Sequence, residues 1–336
     1  MSRMTGSRFH RMSRHPAPVT ERLRVLRRLL LPLACTAAFT AAAVLLPVAG
    51  HARSSDGWTN EAASRFWTPE RMADSMPASG RPAAPPARPG ALGTLPAEGA
   101  AVHFAGIPTV GMLFSVGGDM TAHFCSASVI DSPGRDLILT AAHCELGTDI
   151  GFVPDYRAGA TRQPYGIWAV SQVFTDPHWT PDDDTGSDYD FAFARVRPGP
   201  HGQRVEDVTG ANKLARTPGY SIRVTVMGYP HAEDNPADQA VTCTTTTGPL
   251  PGLHQMQMAC GGFYTGTSGG PWIIDYNTRT RSGTVVGLIG GLGGGGPDDR
   301  ISYSPFFDDA VLALYHTAVR AQTGATHPAI AGAKTP

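Results

Sequence analysis

The sequence predicts an all-β body over residues 101–321, and three observations carry that reading. Short runs rich in β-branched and aromatic residues recur between turns built on Gly and Pro. Charged residues make up only 16% of the chain, while Gly (39) and Pro (29) are plentiful, a balance that suits turn-rich sheet and fits helix poorly. No long helical periodicity interrupts the runs until the end of the body. Many short strands in one body imply a barrel or a pair of packed sheets.

Two segments precede that body. Residues 1–52 read as a signal peptide: Arg22, Arg24, Arg27 and Arg28 lead into an apolar run at 29–48, and Gly50-His51-Ala52 offers a small-residue cleavage site. The run is long enough to span a bilayer, so an uncleaved signal anchor is the competing reading. Either way the body is exported, and the expected location is extracellular. Arg27-Arg28 matches a twin-arginine signal only weakly, and Cys35 lies inside the apolar run and goes with it. Residues 53–100 are dominated by Pro, Ala, Arg, Ser and Gly. Such a stretch buries too little apolar surface to offset its ordering entropy, so a disordered propeptide or linker is expected. A short amphipathic piece at 58–72 is able to dock on a folded body, which favours propeptide over linker.

Within the body, strands are expected at 110–116, 124–130, 137–140, 165–174, 191–196, 222–227, 255–260, 272–275 and 284–289. Ser132-Pro133-Gly134, Arg197-Pro198-Gly199-Pro200, Thr217-Pro218-Gly219 and Gly248-Pro249 supply turns between them. One helix closes the body, started by Pro305, with Phe306, Val311, Leu314, Tyr315 and Ala318 at helical spacing. Residues 322–336 return to Ala, Gly and Pro and read as a disordered tail.

With 27 basic against 28 acidic residues, charge gives no case for nucleic acid or an anionic membrane surface as partner. Setting Cys35 aside, Cys125, Cys144, Cys243 and Cys260 remain, and an even count in an exported chain argues for two disulfides. Three pairings are open. The sequential one closes two short loops, each stabilising by about 3 kcal/mol. Zinc fits poorly without a close Cys-x-x-Cys pair. Asp182, Asp183 and Asp184 lack a bidentate acid at calcium-loop spacing and read as a solvated turn. No metal and no cofactor are expected.

The chemistry gathers at three places. Gly266-Thr267-Ser268-Gly269-Gly270-Pro271 presents a serine between glycines, where a substrate can approach the backbone. A serine hydroxyl needs a base to take its proton and N–H groups to hold the oxyanion that forms. The N–H groups of Gly266 and Ser268 are the candidates for that hole. Thr140-Ala141-Ala142-His143-Cys144 supplies a base at the end of an apolar strand, and Asp190, opening Asp-Phe-Ala-Phe-Ala, supplies an acid to orient it. Asp188 would point to the same strand face and competes with Asp190 for that role. The order His, Asp, Ser argues against an α/β-hydrolase, which would need Ser268 followed by an acid such as Asp308 and then His316 or His327.

These three motifs, in this order, resemble the chymotrypsin/trypsin-like serine peptidases, and the likeness over 106–315 is closest to secreted bacterial members, including the glutamyl endopeptidase branch. The resemblance implies two six-stranded antiparallel β-barrels (chymotrypsin-like) with a C-terminal α-helix. The catalytic cleft would lie between the barrels, and Cys125 would pair with Cys144. It implies a monomeric serine endopeptidase acting on polypeptides through His143, Asp190, Ser268 and an acyl-enzyme. Substrate-binding residues would be Gly262, Phe263, Tyr264, Leu288, Ile289, Gly290 and Gly291. The family commonly places Asp before the nucleophile to pair with a newly cut N-terminus, and here that position is Thr267. Gly262 stands where an acid would confer Lys/Arg preference, and Ile289 where glutamyl members carry His, so an apolar preference is expected. The glycine run 290–296 reads either as a mobile cleft rim or as a surface loop. The competing functions are a catalytically silent protein-binding homologue and an esterase using the same three residues.

Overall fold

The structure, a computed structural model, describes residues 57–78, 99–181 and 184–323. The signal-peptide segment, most of the Pro/Ala-rich stretch and the tail beyond 323 lie outside them. Among the described residues no helix is long and apolar enough to cross a membrane.

The first described elements correct an expectation. Inside the stretch expected to be disordered, residues 57–78 form α1 (Asn60–Phe66), α2 (Pro69–Ala73) and β1 (Met76–Pro77). The Thr59 hydroxyl accepts from the Ala62 N–H, the Thr68 hydroxyl accepts from the Arg71 N–H, and Pro69 sits where a helix tolerates it best. Ala63, Trp67 and Met72 are buried against the body, which offsets the entropy that composition alone could not.

After β2 (Gly99–Ala100) and β3 (Val102–His103) come the strands of the first half. They are β4 (Val110–Val116), β5 (Ala122–Ile130), β6 (Leu137–Thr140), β7 (Thr148–Pro154), β8 (Trp168–Thr175) and β9 (Ala192–Val196). They pair antiparallel in the order β5-β4-β7-β8-β9-β6, and β6 returns to β5, closing a six-stranded barrel to which β1 adds in parallel. Period-2 alternation explains β5. Ala127 and Val129 turn into the barrel with Leu113, Ile138 and Phe152, while Ser126 and Ser128 share the opposite, equally buried face.

The second half follows α3 (Val205–Thr209) and β10 (Lys213–Leu214). It holds β11 (Arg223–Gly228), β12 (Val241–Thr246), β13 (Gly248–Pro249), β14 (Gln255–Gly261), β15 (Pro271–Asn277), β16 (Ser282–Leu288), the turn α4 (Leu292–Gly295) and β17 (Ile301–Pro305). One sheet runs β10-β16-β15-β11-β12-β3 and a second runs β13-β14-β17, with β2 on β14. Val224, Val226, Met256, Met258, Trp272 and Val286 fill the core between them. Disulfides join Cys125 to Cys144 and Cys243 to Cys260, so the second one staples β12 to β14. The fold is the chymotrypsin-like all-β architecture, its first barrel closed by hydrogen bonding and its second half built as two facing sheets.

The last helix, α5 (Asp309–Thr323), starts later than Pro305 suggested. Pro305 ends β17 opposite Gln255, and the Asp308 carboxylate accepts the Ala310 N–H at 2.7 Å, capping the helix instead. Val311, Leu314 and Ala318 are buried, and the Tyr315 ring meets Phe193 of the first barrel at 5.8 Å.

Candidate active site

Strand register brings the three motifs together. In the β6–β9 pair Thr140 lies opposite Ala192, so residues just past the end of β6 and just before the start of β9 share one end of the barrel. His143 follows Thr140 in a 3-10 turn, and Asp190 precedes Ala192. The corresponding pairing in the second half sets Pro271 opposite Leu288, which places the Ser268 loop before β15 beside the glycine run after β16. The Gly269 N–H donates to Ile289 C=O at 2.7 Å, and the Ile289 N–H donates to Gly270 C=O at 2.8 Å.

Asp190, 1% exposed, is saturated with donors. Its Oδ1 accepts the His143 backbone N–H at 2.8 Å, and its Oδ2 lies 2.7 Å from His143 Nδ1 and accepts the Gly291 N–H at 2.6 Å. A carboxylate that only accepts leaves Nδ1 as the donor, so Nε2 is the lone-pair nitrogen of the imidazole. Asp188 faces elsewhere: its carboxylate takes the Gln255 side-chain N–H at 2.9 Å and the His254 backbone N–H at 3.2 Å.

His143, Asp190 and Ser268 line one groove together with Ala78, Trp179, Thr180, Tyr264, Thr265 and Gly294. Gly266 holds φ +95°, and a Cβ there would collide with the Phe124 ring, so only glycine fits. Among the described residues the N–H groups of Gly266 and Ser268 donate to no backbone carbonyl, which leaves two donors free beside the serine. Thr267 is buried and donates its hydroxyl to Tyr264 C=O at 2.8 Å, holding the loop through its own side chain.

Ser126 ties this loop to the first barrel. Its N–H donates to Ser268 C=O at 2.7 Å, and its hydroxyl donates to Gly266 C=O at 3.1 Å and accepts the Tyr229 N–H at 2.9 Å. Nothing in Cys-Ser-Ala-Ser marked that serine beforehand, because its three partners come from segments more than a hundred residues away.

The expected substrate-binding residues divide. Tyr264 and Gly291 line the groove. Phe263, Leu288 and Ile289 are wholly buried in the hydrophobic cores, and Gly262 and Gly290 are absent from the lining. The nearby Asp299 carboxylate, and burial after it, push the Tyr264 phenol above its ordinary value. The glycine run folds over the imidazole: α4 contains Gly293 and Gly294 at positive φ, and a Cβ on Gly294 would lie 3.7 Å from His143 Nε2. No cluster of three or more metal-binding side chains occurs among the described residues.

The sequence matches the family model for trypsin over residues 100–307. The chain belongs to the trypsin family of serine peptidases. It is a serine-type endopeptidase, and its substrates are polypeptides. Among solved structures it is similar to the protease Anisep from Arthrobacter nicotinovorans, at 24% identity over 66% of this chain and 100% of that one, with a TM-score of 0.57. It is also similar to the thermostable serine protease AL20 from an extremophilic microorganism, at 23% identity over 63% of this chain and 97% of that one, with a TM-score of 0.54. Both likenesses are of fold. No curated protein matches the sequence.

Proposed function

We propose that this peptidase is secreted and cleaves peptide bonds by acyl transfer through His143, Asp190 and Ser268. The observation that carries the reading is the shared groove: an imidazole oriented by a buried carboxylate, a serine, and two unpaired N–H groups at the loop that bears it. Nε2 of His143 takes the Ser268 proton as the hydroxyl oxygen attacks the scissile carbonyl. The oxyanion accepts the N–H groups of Gly266 and Ser268, which donate to no backbone carbonyl among the described residues. The imidazolium formed is stabilised by Asp190 and hands its proton to the leaving amine, and water then hydrolyses the acyl-enzyme by the same route reversed.

The two positions at which the family reads charge hold Gly262 and Ile289, neither an acid nor an imidazole, so cleavage after an apolar residue is proposed. Neither of them lines the groove, whose acidic wall residue besides Asp190 is Glu145. A fluorogenic peptide panel tests it, and fastest cleavage after a charged residue would reject it. Labelling by a fluorophosphonate, present in the parent and lost in Ser268→Ala, tests the mechanism. A chain that cleaves peptides equally well after that substitution would overturn it.

A further inference from the structure

Residues 57–78 lie upstream of the region matched to the family, which begins at residue 100, so family membership says nothing about them. They are nonetheless built into the first barrel. The Trp67 indole N–H donates to Asp149 C=O at 2.7 Å and the Trp58 indole N–H to Ile150 C=O at 2.8 Å, two successive carbonyls of β7. The Asn60 side chain accepts the Ala169 N–H of β8 at 2.8 Å and donates to Pro198 C=O at 3.2 Å. Trp67 is 1% exposed and packs at 5.3 Å, its ring tilted, against Phe114, itself wholly buried. The body is shaped to receive it: a Cβ on Gly151 would lie 2.8 Å from the indole ring. Removal of this segment would strip partners from two strands and expose the core face at Phe114.

The segment then runs into the groove. β1 pairs in parallel with His123 and Phe124, and the Ala78 N–H donates to Phe124 C=O at 2.8 Å. Ala78 belongs to the same buried cluster as Cys125 and Cys144, whose disulfide adjoins His143, and it lines the same groove as His143 and Ser268. The acid that in the family pairs with a freshly cut N-terminus is replaced here by Thr267, whose hydroxyl holds the loop instead.

We infer that residues 57–78 are a permanent clamp of the working enzyme and not a removable propeptide, and that Ala78 is a specificity-determining residue of its substrate groove. The inference about Ala78 rests on Ser268 being the nucleophile. The full chain is secreted, its active sites are counted with a fluorophosphonate, and the labelled species is digested and mass-mapped under denaturing conditions. Peptides covering 58–78 are expected in one-to-one ratio with labelled Ser268. Fully active, labelled enzyme that lacks them overturns the clamp. Ala78→Phe is then profiled per active site on libraries varied on either side of the scissile bond. The added ring is expected to shift the preference between small and bulky residues at one position by about tenfold or more, the range a hydrophobic pocket sets for a few methylenes. An unchanged profile overturns the substrate contact, and a purely structural role for residue 78 would change rate without changing that ratio. A parent enzyme that takes no label and cuts no peptide would refute the acyl-transfer reading and Ala78's role together. The clamp would still be decided by the mass map of the secreted chain.

Discussion

Replacing Ser126 by Ala removes one oxygen that serves two buried backbone groups, the Gly266 carbonyl and the Tyr229 N–H. An unpaired buried backbone group costs about 1–3 kcal/mol, so the substitution is expected to destabilise the fold by roughly 2–6 kcal/mol. At about 2–4 °C per kcal/mol for a domain of this size, melting should fall by at least about 4 °C. Catalysis should suffer as well, because the loop bearing both proposed oxyanion donors loses a tether. A single lost donor of this kind costs 10²–10³ in rate, and partial loosening is expected to lower kcat by about tenfold with little change in KM. Ser128 supplies the control. It lies two residues along the same face of β5, is equally buried, and its hydroxyl has no partner among the described residues. Ser128→Ala therefore discards an unsatisfied polar atom and should be neutral or stabilising by up to about 1 kcal/mol. Thermal unfolding and steady-state kinetics on both variants decide the matter. Equal melting temperatures for the two, with kcat of Ser126→Ala within about twofold of the parent, would refute the tethering argument.

Asp190→Asn is expected to lower kcat by about 10⁴, since an amide favours the wrong imidazole tautomer, whereas Asp188→Asn should stay within about tenfold. Equal losses in a kinetic comparison would mean that hydrogen bonding of His143 is not what Asp190 contributes. Replacing both Cys243 and Cys260 by Ala opens a loop of 17 residues and should cost about 3 kcal/mol, read as a fall in denaturation midpoint. Asp119 is held at about 2, chiefly by the Thr121 hydroxyl and N–H and the His123 ring. Because its folded value lies below the ordinary aspartate value of 3.8, its stabilisation is present above about pH 3.8 and is lost as pH falls towards about 2. Asp119→Asn should flatten melting temperature against pH in that window, and an unaltered acid limb would refute the linkage.

How much was legible in the sequence depended on how local each signal was. The runs at 110–116 and 137–140 became β4 and β6 without change, because each carries its own β-branched and apolar content. Two interior strands escaped notice. β7 is broken by Asp149 and Gly151 and ends in Pro, and β12 reads Val-Thr-Cys-Thr-Thr-Thr, so neither shows clear alternation. Both are strands because neighbours pair with them, which no window of sequence contains.

The residue types, their order along the chain and their spacing determined the reaction class, since a base, an acid and a glycine-flanked serine are chemically recognisable wherever they stand. Tertiary structure alone decided that Asp190 and not Asp188 meets His143, that Ser126 anchors the Ser268 loop, and that the Trp-bearing segment at 57–78 joins the barrel. Each of those choices turns on which distant backbone group lies within about 3 Å, and that is set by strand register and closure of the barrel, not by any local run of residues.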